Sequence, residues 1–129
     1  MVYRFFKLFA LMYLVVSFAL VTTSCTSTVE PLETEEDFLG FITEISPLKA
    51  KDLVGQILVE SHADKLVTKY LVTIRGDTMI FNQEGKNLRQ VDFQALVEKQ
   101  WVKIWFDGPI AESFPMKGTA LQIVITSTP

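Results

Sequence analysis

Cysteine and histidine each occur only once in this chain of 129 residues. A lone thiol excludes an intrachain disulfide, so any folded part must be held together by its core. A lone imidazole, His62, among scattered carboxylates makes a poor metal site, because metal shells are built from several such ligands brought together. No metal and no cofactor is expected. Basic charge is also short, with 12 Lys and Arg against 15 Asp and Glu. Neutralising phosphates needs a basic excess, so nucleic acid is not an expected partner. The Gly-x-Ser-x-Gly elbow of a serine hydrolase is missing. Even the longest apolar run, Leu8 to Val21, which is apolar apart from Ser17, has only fourteen residues. As a helix it would rise about 21 Å, short of a hydrocarbon core of about 30 Å.

That run makes better sense as an export signal. Arg4 and Lys7 precede it, and Thr22, Thr23 and Ser24 lead into Cys25. A basic start, an apolar middle and small residues before a cut site describe a secretory signal, here residues 1–24. The segment resembles a lipobox, with Ser24 and Thr23 in place and Thr22 where Leu is usual. Cys25 is therefore the expected lipid attachment point, which would hold an exported protein to a bacterial membrane. The plainer alternatives are an ordinary signal cut nearby, leaving an incidental thiol, or a short uncleaved anchor. Residues 25–37 read as a lipid-attached acidic tether. Glu30, Glu33, Glu35, Glu36 and Asp37 crowd it, with Pro31 among them and few large apolar residues. Such a stretch is expected to stay solvated and extended.

Without signal and tether, the domain of residues 38–129 carries 10 basic and 10 acidic side chains. It is long enough for one small core. Six strands are expected: Gly40 to Ile45, Gln56 to Glu60, Thr68 to Arg75, Thr78 to Asn82, Trp101 to Phe106 and Thr119 to Thr126. Gly40 suits a bulge or a close approach. Alternation puts Tyr70, Val72 and Ile74 on one face of the third strand. Val102, Ile104 and Phe106 share a face of the fifth, and Leu121, Ile123 and Ile125 a face of the last. Gly76-Asp77 reads as a hairpin turn and Asn82 to Asn87 as a polar loop. Asp92 can cap a short helix to Val97, with Phe93, Leu96 and Val97 on its inner face. Strand, strand, split strand, helix, strand, strand is the order of an OB-type barrel, and closure removes exposed sheet edges. The expected fold is all-β with one short helix: a small OB-like β-barrel after an N-terminal lipoprotein signal. An open sandwich is the competitor.

Val102 to Ile123 (VKIWFDGPIAESFPMKGTALQI) resembles the C-terminal signature of the YobA-like lipoproteins, small secreted or lipid-anchored bacterial domains of unknown function. Gly108, Ile110, Glu112, Ser113, Pro115 and Ala120 match its pattern, Phe114 replaces a Tyr, and Met116-Lys117-Gly118 stands where Gln is common. Gly40 and Ile42 suit its opening. The resemblance implies a barrel-like fold and carries no established activity.

Two surfaces are candidates for binding. Trp101, Lys103 and Trp105 share one side of a strand, and that side faces outward if Val102 and Ile104 face the core. Two indoles and an ammonium would suit an envelope glycan, an aromatic group or a protein, with Lys69 and Leu71 extending the patch; the plainer reading is that each Trp covers a hydrophobic edge or packs on the helix while Lys103 snorkels. The turn formed by Gly108, Glu112, Ser113, Phe114 and Pro115 is read first as structural, with Phe114 plugging the barrel end and Ser113 or Glu112 satisfying backbone donors. A hydrolase using Ser113 and His62, oriented by Asp64, is a remote alternative. Arg75-Gly76-Asp77 spells an adhesion tripeptide, but turn chemistry explains it. The chain is thus expected to be a non-catalytic, lipid-anchored binding module of the cell envelope. A structural or stress-related envelope protein is the second reading.

Overall fold

The computed structural model describes residues 29–63 and 65–128. The signal, Cys25 and the first residues of the tether lie outside them, as does Asp64. Seven strands form the domain: β1 (Phe38–Ala50), β2 (Leu53–Ala63), β3 (Leu66–Arg75), β4 (Met79–Glu84), β5 (Asn87–Val91), β6 (Trp101–Phe106) and β7 (Met116–Thr126). β1, β2 and β3 pair antiparallel in sequence, β1 also pairs with β6, and β6 with β7. β3 then joins β7 in parallel, which closes a five-stranded, OB-like barrel. The domain is all-β among the described residues.

Its interior is built from the inward set of each strand. Ile42, Ile57, Val59, Val72, Ile74, Val102, Ile104, Ile123 and Ile125 are buried and form one cluster. β-branched side chains dominate because they pack well on a pleated surface. Phe38, Tyr70 and Phe106 close one end, with ring centroids 4.3 Å and 5.2 Å apart in succession. A side chain at Gly118 would meet Phe106, so this plug needs the glycine. At the other end Phe93 sits over Gly55, which has no room for a Cβ.

Gly76-Asp77 is not a hairpin turn, because β3 and β4 both run parallel to β7, pairing with its first and second halves. The split strand of the sequence reading is thus one line along β7, interrupted by a loop. Thr78 Oγ1 holds that loop, accepting from Arg75 N and donating to the Ala120 carbonyl. The polar loop after Asn82 contains a true hairpin, β4 to β5, turning at Gly85 with φ +63°. β5 carries no signal in the sequence because Leu88, Arg89 and Gln90 are all exposed, which leaves no alternation to read.

The expected helix is a single 3-10 turn, Phe93–Ala95, capped by Asp92 as foreseen. Gln100 stops it by accepting from Val97 N and donating to the Ala95 carbonyl. Leu96 is buried, while Val97 points outward. In β7 the inner face is Ala120, Ile123 and Ile125, and Leu121 is exposed. The pairing jumps from Trp105↔Gln122 to Phe106↔Ala120, so Leu121 is the extra residue of a bulge.

Candidate functional site

The outward side chains of β6, β1, β2 and β3 form the most developed surface. Trp101 is paired with Phe41, Phe41 with Glu60, and Glu60 with Lys69, one cross-strand row over four strands. Each member faces out because its neighbours Val102, Ile42, Val59 and Tyr70 face in. The Trp101 and Phe41 rings meet edge-on at 5.5 Å, and the His62 ring stacks on Phe41 at 5.5 Å. Lys69 Nζ lies 2.9 Å from one Glu60 carboxylate oxygen, and His62 Nε2 lies 3.5 Å from the other. The Lys69 hydrogen bond and charge, with His62 adding to them, hold the Glu60 carboxyl below its ordinary value despite partial desolvation. The row is an aromatic strip ending in an ion pair, its members half-buried and His62 exposed. Half-buried rings beside a paired carboxylate and ammonium are a composition suited to a polar partner with some apolar surface.

The two tryptophans of the sequence patch do share the outer side of β6, as expected, but they do not form one exposed patch. Trp105 is only 7% exposed, packed with Phe81 and Val124 in a second cluster that Leu32 and Met79 cover. Its Nε1 donates to the Thr34 carbonyl at 3.0 Å and to Thr34 Oγ1 at 3.1 Å. Lys103 lies 3.9 Å from Glu36. The reason is the tether. From Leu32 to Asp37 it lies on the barrel, contrary to the expected solvated spacer. Main-chain groups along it are met by Gln122, Trp105 and Ile104. Trp101 remains available and joins the row. Phe41 and Glu60 were not foreseen as site residues. Nothing in the sequence sets their register; only the pairing of β1 with both β2 and β6 reveals it.

The loop before β7 departs from expectation as well. Phe114 is 77% exposed and plugs nothing; Phe38, Tyr70 and Phe106 do that instead. Ser113 Oγ donates to the Pro115 carbonyl at 2.7 Å, so it satisfies an acceptor, not a donor. The loop is closed by Ala111 and Lys117, which exchange both main-chain hydrogen bonds. Gly108 adopts φ +81°, a left-handed turn, the Phe114-Pro115 bond is cis, and Glu112 is exposed. Ser113 is bonded to Pro115 and His62 is paired with Glu60, so among the described residues no hydrogen bond joins them into a nucleophile and base. A cleft of about 410 Å³ opens beside Phe93, lined by Val54, Ile74, Thr78 and Val91. Its charged rim is engaged elsewhere: Asp92 caps the 3-10 turn and Arg75 lies 3.5 Å from Asp77.

Comparison with family models, with curated proteins and with solved structures returns no match.

Proposed function

We propose that this chain is an exported, lipid-anchored binding module of the bacterial cell envelope, without catalytic activity, and that its ligand lies on the outer face of β6, β1, β2 and β3. The observation that carries this reading is the continuous row Trp101, Phe41, Glu60 and Lys69, flanked by His62. Aromatic side chains give contact area at low entropic cost, and a neighbouring ion pair fixes orientation. OB-type barrels commonly bind on the face of their second and third strands, where Glu60, His62 and Lys69 stand. The partner is an envelope protein or glycan. The export signal and Cys25 supply the location, in line with the YobA-like resemblance.

Two experiments test the parts separately. In-cell crosslinking followed by capture should recover a species that is lost from a folded Phe41→Ala/Trp101→Ala variant. Recovery of the same species from both would remove the row from the site. Labelling with an alkyne fatty acid should mark the wild type and spare Cys25→Ala; equal labelling would remove the anchor.

A further inference from the structure

The docked tether is itself a bound extended peptide, and the way it is held describes a binding site. Gln122 is fully buried. Its Oε1 accepts from Leu32 N at 2.7 Å and its Nε2 donates to the Leu32 carbonyl at 3.5 Å, so the carboxamide reads one residue's main chain in both directions. Trp105 reads the Thr34 carbonyl. At the C-terminal end Asp37 N donates to the Ile104 carbonyl, and Phe106 N donates to the Asp37 carboxylate. Leu32 fills an apolar pocket of Phe81, Trp105 and Val124.

This cluster stands outside the barrel core and is separate from it. Main-chain hydrogen bonds give affinity with little regard to sequence, and one side-chain pocket gives selectivity; peptide-recognition grooves work in this way. Lys103 beside Glu36 adds a preference for acidic segments.

We infer that the outer face of β6 and β7 is a docking groove for an extended acidic segment with a leucine anchor. The chain's own Leu32–Asp37 fills it in cis, and a partner protein's segment of the same chemistry takes it when the strap lifts. The strap runs directly into β1 at Phe38, which holds it in cis at a high effective concentration, so a free peptide competes poorly with it. Weakening the strap opens the groove without altering its walls.

The test uses the full chain and a labelled synthetic peptide of residues 29–37 (VEPLETEED). The Leu32→Asp chain, checked for a cooperative melt, should bind this peptide at least about tenfold more tightly than wild type, by anisotropy. Adding Gln122→Leu should abolish the gain, and a peptide with Asp at the leucine position should not bind. In parallel, a Glu-specific protease should cut between Glu33 and Glu36 faster in Leu32→Asp than in wild type. Should Leu32→Asp fail to fold, Leu32→Ala takes its place. Peptide binding equal in wild type and the weakened chain, binding that survives Gln122→Leu, or strap cleavage at equal rates would each overturn the inference.

Discussion

Gly40→Ala puts the arrangement of the binding row to a direct test. Gly40 lies on the inner side of β1 between Leu39 and Phe41, where β1 leaves β6 for β2. A Cβ there would sit 2.5 Å from the Glu60 carbonyl oxygen, 2.8 Å from the Phe38 ring and 2.9 Å from Val59. The nearest of these is backbone, which cannot rotate away. β2 must shift or the added methyl must be squeezed, and overpacking of this kind costs about 1–3 kcal/mol. For a domain of this size each kcal/mol is worth roughly 4–8 °C in melting temperature. A fall of about 5–20 °C is therefore expected by circular dichroism. Gly76→Ala is the control, because it meets nothing within 4 Å and its φ lies outside the left-handed region. It should be neutral or raise stability by about 0.4–1 kcal/mol through the unfolded chain. Since the Glu60 carbonyl is the group pushed, Gly40→Ala should also weaken ligand capture by the row. A Gly40→Ala domain that melts within roughly two degrees of wild type, against the overpacking cost, would refute the packing argument.

Other outcomes follow from the same contacts. Ile123→Ala should cost about 2–5 kcal/mol because its side chain is fully buried, whereas Leu121→Ser, on the bulge, should stay within about 0.5 kcal/mol; denaturant melts of the two compare them. Trp105→Phe keeps an aromatic ring in its cluster but loses part of the buried indole and both hydrogen bonds to Thr34, for a loss of at least about 1 kcal/mol and faster strap cleavage in a protease assay. Glu60 is held below its ordinary value mainly by Lys69, so its pairing contributes above the unfolded carboxylate range and is lost as pH falls through the depressed folded value. A carboxyl-detected titration should show Glu60 moving back up in Lys69→Ala, and no movement would contradict the pairing.

Fold class and most of the core follow from the residue pattern alone. Val72 and Ile74, Val102 and Ile104, and Ile123 and Ile125 were legible because alternation at period two reports which face of a strand is dry. Gly40 was legible as a place of close approach, and Asp92 as a cap. Other elements carry no such local signal. β5 has no apolar alternation, since it is a solvent-exposed edge, and Leu121 reads as core until the bulge shifts the phase. Gly76-Asp77 has hairpin chemistry, yet β3 and β4 both run beside β7, a choice made by long-range pairing. The tether looked too polar to order because its contacts are made mainly through its main chain, whose partners, Gln122 and Trp105, lie far along the sequence. For the same reason Trp101 and Trp105, alike in the sequence, part ways. One is roofed by the strap, and the other joins a row whose remaining members come from three other strands. Local pattern fixes which side of a strand faces water, but only closure of the barrel decides what else stands on that side.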